Sequence, residues 1–189
     1  MSRRKEKTEK IIATTASILR KEGIAGLSMR KVAKLAEIRL SNVQYYYKDR
    51  AALLEATIVY YFKECERDVQ QNLDDIPVDI SLSDLIKNIL EQALMDGNTS
   101  ERCAMFREIW ALASKYPNIA KLVQRYYQQY NQWLMEQFRP YSSNAAVVVS
   151  ILMPYVEGYS LMGNALPLAK DQIIDHLLKV LQPHLNPLA

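Results

Sequence analysis

Apolar residues recur every three or four places almost from end to end of the chain, the spacing of a buried helix face. Ile12, Ala16 and Leu19 form the first stripe, and Gly23 sits where a left-handed residue closes a helix. Ser28 is placed to cap a second helix with Val32, Ala33 and Leu35-Ala36 inward. A short segment ending in three tyrosines follows, LAEIRLSNVQYYY over 35–47. Asp49 is placed to cap a long helix over 51–73, with the stripe Leu54, Ile58, Tyr61 and Cys65. The loop DDIPVDIS then supplies a proline and a fresh serine cap.

The second part repeats the habit. Leu85-Ile86, Ile89-Leu90 and Ala93-Leu94 predict a helix stopped at Gly97, and Met105-Phe106, Ile109-Trp110 and Ala113 another stopped before Pro117. A third, of about six turns, runs from Ile119 past Tyr126-Tyr127, Tyr130 and Trp133-Leu134 to Phe138, ended at Pro140. Residues 142–144 are placed to cap a fourth that reaches about Asn164, and Ile173-Ile174, Leu177-Leu178 and Leu181 mark a last one before Pro183. No period-two strand and no internal repeat is evident. The expected fold class is all-α with about nine helices. A three-helix helix-turn-helix domain over 1–50 is joined by the bridging helix to a helical bundle over 51–189.

Composition supports helices: 5 Gly and 7 Pro in 189 residues give few breaks for a many-stranded sheet. Charge adds an asymmetry that the total of +3 hides. Residues 1–50 carry thirteen Lys/Arg against five Asp/Glu, and the rest eleven against sixteen. A basic first quarter on an acidic body points to a polyanion partner or to a merely solvated basic start. Cys65 and Cys103 lie in no metal or Cys-x-x-Cys spacing and read as buried thiols in a reducing compartment. The start MSRRKEKTEK has no apolar core of a secretion signal. The apolar run over 145–156 is interrupted by Ser150 and Pro154 and falls short of a membrane span of roughly 20 residues. A cytoplasmic protein without a membrane partner is expected.

The segment 39–50 has the chemistry to read duplex DNA. Val43 and Tyr47, four apart, share an inward face, which turns Asn42, Gln44 and Tyr45 outward with Arg39 at the start. A planar amide matches the adenine edge in the major groove and a guanidinium matches guanine, each good bidentate pair worth about 1–3 kcal/mol. Tyrosine hydroxyls, Lys48 and Arg50 suit phosphate oxygens. Packing and half-exposed surface is the competing role for each single tyrosine, and solvated surface for the polar set. Arg3, Arg4 and Lys5 read as a flexible basic arm.

The pieces IIATTASILRKEGIAGLSMRKVAKLAEI and NVQYYYKDRAALLEA carry a family spacing across about 45 residues. Over 8–54 the chain resembles the N-terminal domain of the TetR family of bacterial transcriptional regulators. The resemblance implies that Ser28 and Arg30 open the helix that approaches the DNA backbone. It implies that 39–45, including Leu40 and Ser41, form the recognition surface and that Tyr46 reaches a phosphate. Arg50 takes the place of the usual helix-opening lysine. The chain departs from the family at three places. Glu37 replaces a turn glycine, so either strain or an altered turn is expected there. Arg39 replaces the usual capping serine, leaving open a later helix start with Ser41 and Gln44 as a capping box. Gln44 replaces the usual tyrosine.

For the body, the resemblance implies an effector cavity and a homodimer built on the last two helices. MFREIWALASKYPNIAKLVQRYYQQYNQWL is more weakly similar to BetI-type members. Met105, Phe106, Trp110, Tyr126, Tyr127, Tyr130 and Trp133, with Tyr155, are the candidate lining of a small-molecule pocket, or ordinary core. Val148, Leu152, Tyr159 and Met162, with Leu177, Leu178 and Leu181, are the candidate dimer seam, or the monomer core. A C₂ dimer would present two recognition helices to a palindromic operator. Pro154 is a candidate kink.

The expected function is ligand-released repression. The alternative is a ligand-independent architectural factor that recruits a protein, which would show no ligand-induced thermal shift. No Ser/His/Asp set, Gly-rich phosphate loop, metal spacing or paired carboxylates support an enzyme, and no cofactor is implied. His176, in the apolar stretch DHLLKVL, reads as structural.

Overall fold

The structure, a computed structural model, describes residues 3–74, 80–94, 101–139, 142 and 144–185. Nine α-helices account for most of them, and no strand occurs among them. They are α1 (Arg3–Gly26), α2 (Met29–Leu35), α3 (Leu40–Tyr46), α4 (Arg50–Asp74), α5 (Leu82–Ala93), α6 (Glu101–Ala113), α7 (Pro117–Phe138), α8 (Ala145–Met162) and α9 (Lys170–Leu181). The all-α expectation therefore holds.

Helix ends follow local chemistry. Gly23 adopts φ +64 and ψ −169, a region essentially reserved for glycine, and kinks the helical backbone inside α1 rather than closing it. Ser28 accepts the Lys31 N–H at 3.2 Å, Asp49 the Ala52 N–H at 2.8 Å, and Ser81 the Asp84 N–H at 3.1 Å. Pro117 opens α7, where its missing N–H costs nothing. The helix expected to reach about Asn164 ends at Met162 and tightens into a 3₁₀ turn over Gly163–Ala165, and its N-cap falls in the expected 142–144. Asn144 caps it without a side-chain bond, and Ser142 instead accepts the Asn144 N–H at 3.0 Å and donates to the His184 carbonyl. Gly97 and Pro140, the other expected breaks, lie outside the described residues.

Two compact units result. The first comprises Met1–Gln70 and Ala104–Gln124, the second Gln71–Cys103 and Arg125–Ala189. Compactness thus groups far more chain with the head than 1–50. In the first unit α1 packs on α2 and α2 on α3. Ile11, Leu19, Val32, Val43, Leu53, Ile58, Met105, Ile109 and Ile119 are buried there. Each such aliphatic side chain contributes about 1.5–3 kcal/mol. Phe106 stands edge-on to Tyr61 at 5.3 Å, joining α6 to α4.

In the second unit α5 lies against α9, and one apolar cluster takes in Leu85, Ile86, Leu90, Leu134, Phe138, Ile173 and Ile174. Val148, Leu152, Tyr159, Leu177 and Leu181 belong to the same cluster. These five are candidate dimer contacts with the monomer core as the alternative, and within the single chain they are buried. Of the candidate seam, Met162 is exposed and Leu178 half-buried.

The opposite side of α8 is apolar too. Val147 is 38% exposed, Leu161 50% and Met162 53%. Ile151, Pro154 and Gly158 lie between them on the same ridge, and a Cβ built on Gly158 meets nothing within 4 Å. By length and composition α8 could cross a membrane; Val148, Val149, Leu152 and Tyr159 are its residues buried in the cluster.

Candidate nucleic-acid interface

The turn between α2 and α3 sets the direction of α3. Ile38 N–H bonds to the Ala33 carbonyl at 3.0 Å and Glu37 N–H to the Lys34 carbonyl at 3.2 Å. These two crossing bonds are the Schellman pattern, which needs a left-handed residue at C′. Glu37 supplies it at φ +55, the one positive-φ non-glycine residue among those described. The turn keeps the geometry a glycine would give, and the side chain bears the strain. A non-glycine residue in this region costs roughly 1–2 kcal/mol, and the exposed Lys10–Glu37 pair at 3.5 Å returns little of it. Glu37→Gly is therefore expected to stabilise the protein by about 0.5–1 kcal/mol, after glycine's greater unfolded-state entropy is subtracted. Urea unfolding measures it, and an unchanged or lower midpoint would count against the strain.

Helix α3 begins at Leu40. Arg39 is its N-cap with extended backbone and no side-chain bond, while its carbonyl accepts the Asn42 N–H at 2.9 Å. Ser41 lies inside the first turn, so the later start with a Ser41–Gln44 box is not adopted. Val43, fully buried, pins the helix to the head. Ser41, Gln44 and Tyr45 then occupy one exposed stripe, with Tyr45 at 77% exposure. Asn42, Leu40 and Tyr46 are half-buried at its flanks. The Tyr45 and Tyr46 rings meet edge-on at 5.2 Å. Tyr47 ends the helix, its N–H on the Val43 carbonyl at 2.9 Å, and burial raises its phenol above the ordinary value. It stays a neutral hydroxyl at physiological pH.

Exposed cations stand before and after this stripe in the chain. Arg30, Lys34, Arg39 and Lys48 are exposed and have no ion-pair partner among the described residues. Lys31 instead pairs with Glu22, tying α2 to α1. Ser28, exposed, spends its hydroxyl oxygen on the helix cap. Arg50 is exposed, yet one guanidinium nitrogen donates to the Ile24 carbonyl, so the residue has a structural partner as well as any phosphate.

Two residues that local sequence patterns did not mark hold the head. Glu108, on α6, accepts the Ile24 N–H at 2.6 Å through Oε1. Asn118, at the start of α7, donates to the Glu55 carboxylate on α4. Each pairing spans more than sixty residues of chain, so no short-range signal announces it.

The candidate pocket residues fall in different units. Met105, Phe106 and Trp110 belong to the first, with Met105 fully buried and Trp110 44% exposed. In the second, Tyr126, Tyr130 and Trp133 stack along one side of α7, with centroids 5.6 Å apart at each step. Tyr127 meets Tyr126 edge-on at 5.2 Å. Burial, then the neighbouring Tyr159, raises the Tyr155 phenol. On the flank of the same helix, Asn131 has a buried amide oxygen without a hydrogen-bond partner among the described residues.

No family model matches the chain. It is 34% identical over 184 residues to an HTH-type transcriptional regulator from the dhlA 5′ region of Xanthobacter autotrophicus, covering 95% of this chain and 91% of that one. A solved TetR-family transcriptional regulator from Mesorhizobium loti superposes with a TM-score of 0.77 at 14% identity, over 97% of this chain and 96% of the other. A transcriptional regulator from Saccharomonospora viridis, solved in complex with choline, superposes at 0.72 and 14% identity, over 94% and 96%.

Proposed function

The chain belongs to the helix-turn-helix transcriptional regulators and has the fold of the TetR family, and we propose that it is a homodimeric cytoplasmic repressor, bound to a palindromic operator and released by a small-molecule effector. It is a DNA-binding regulator and not an enzyme. The observation that carries the reading is the exposed Ser41, Gln44 and Tyr45 stripe, set between Arg39 and Lys48, which have no ion-pair partner among the described residues. Amide and guanidinium read base edges, and the flanking cations neutralise phosphates.

Dimerisation is supported by the outward ridge of α8. Val147, Ile151, Pro154, Gly158 and Leu161 recur at steps of four, three, four and three, the spacing of a packed helix seam. A contiguous apolar ridge of this kind on a soluble chain marks an interaction surface. Two copies meeting on it present two α3 helices to the two halves of a palindrome.

An effector with a flat or cationic side is supported by the stacked Tyr126, Tyr130 and Trp133 rings, whose faces attract cations. The unpartnered Asn131 oxygen offers a polar anchor. The choline-bound neighbour shows that this fold holds such a molecule in another protein. Release follows from linkage: an effector that binds one arrangement of the subunits better than the DNA-bound one lowers operator affinity by its differential affinity. Helix α4, which begins directly after the reading helix and runs to Asp74, is the transmitter.

Selection of bound fragments from the source genome by the purified protein tests the reading. A single enriched inverted repeat is expected, with affinity falling steeply as salt rises. Equal retention of all fragments, or none, would refute it. Screening the recovered complex against amines and flat aromatic compounds then tests release, and a complex that no compound dissociates speaks for a ligand-independent factor.

A further inference from the structure

Resting on the DNA-binding reading, we infer that Glu108 is a positioning residue for DNA binding: its carboxylate, contributed by α6, completes a clasp on the Ile24 backbone that fixes both ends of the helix-turn-helix. The Ile24 N–H donates to Glu108 Oε1 at 2.6 Å. The carbonyl of the same residue accepts from the Arg50 guanidinium and from the Leu27 N–H at 3.2 Å. Ile24 lies four residues before Ser28, the cap of α2. Arg50 opens α4, four residues after α3 ends. The backbone N–H and C=O of one residue therefore tie the entry of the first reading element to the exit of the second, and their third anchor comes from 84 residues away.

The site is shaped for this carboxylate. Gly23 beside it takes φ +64, and a Cβ there would stand 3.2 and 3.3 Å from the two Glu108 oxygens. The corner is thus bare on the side where Glu108 approaches. A bond to an ionised acceptor is roughly twice as strong as a neutral one. Lost, it leaves the Ile24 N–H without its acceptor and the corner held from one side only. Helix α6 itself is held to α4 by the Phe106–Tyr61 ring contact, which does not involve Glu108. The carboxylate can therefore be removed while that packing stays.

The test uses the full chain and the genomic fragment most enriched by the wild type. Glu108→Ala is expected to bind it about tenfold more weakly at an unchanged salt slope, with faster amide exchange at Ile24 and through 28–31. Glu108→Gln, whose amide oxygen still accepts the N–H, is expected to restore affinity to within about threefold and the exchange protection with it. Wild type that binds no fragment would sink the DNA-binding reading itself. Wild type that binds, with Glu108→Ala equal to it in affinity and exchange, overturns this inference alone, as would Glu108→Gln losing as much as Glu108→Ala. A lower thermal midpoint without a change in affinity would assign Glu108 to stability only and equally overturn it.

Discussion

Gly158→Arg is expected to convert the protein into a folded monomer that binds its operator at least about a hundredfold more weakly. The position separates assembly from folding. Within one chain a Cβ there meets nothing, and arginine is a better helix former than glycine by roughly 1 kcal/mol. The isolated subunit should therefore gain stability. Across a seam running through Ile151, Pro154 and Leu161, the same side chain would push a bulky cation into the closest approach of two helices. Losing the partner removes the second reading helix. The second half-site contact then ceases to be intramolecular, an avidity term of 10²–10⁴. Sedimentation velocity reads the oligomer and fluorescence anisotropy the affinity. A variant that stays dimeric would place the interface elsewhere.

The second large effect divides the reading surface by role. Gln44→Ala is expected to cost about 1–3 kcal/mol on the operator, roughly five- to 150-fold, and little on unrelated DNA, so base preference relaxes at one position of each half-site. Lys48→Ala is expected to weaken every sequence alike and to lower the salt slope by about one unit per half-site. Lys48 is the cleaner probe of a phosphate contact than Arg50, whose guanidinium also holds the Ile24 carbonyl. Removing Arg50 would disturb the head as well as the charge. Anisotropy titrations on operator and scrambled DNA at three salt concentrations distinguish the two. If both substitutions lose the same factor on both DNAs, the assignment of Gln44 to bases is wrong.

Much of this was legible in the sequence because it is local. Helix spacing, the Gly23 break and the serine and aspartate caps each depend on residues within one or two turns. Glu37 was legible as a conflict, and the backbone resolves it by keeping the left-handed turn. The orientation of α8 was not legible. A helix apolar on all sides carries the same three-four spacing on every face, so Val148–Leu152–Tyr159 and Val147–Ile151–Gly158 look alike until the core is known. The first set is buried in the core, while in the second Val147 is exposed and Ile151 and Gly158 are half-buried. Glu108 was invisible for another reason: a carboxylate on a helix has no sequence mark that says which distant peptide it will meet.

The head's partners also set what can be exchanged between regulators. Helices α4, α6 and α7 each run through a boundary between the compact units. Residues 1–70 cut out and grafted onto a foreign body would leave Glu108 and Asn118 behind. The Ile24 corner and the Glu55 carboxylate would then lack their counterparts. Chimeras that swap operator preference should succeed only when the recipient's sixth and seventh helices bring an acceptor and a donor to those two places, so recombination in such proteins is constrained to travel in two pieces.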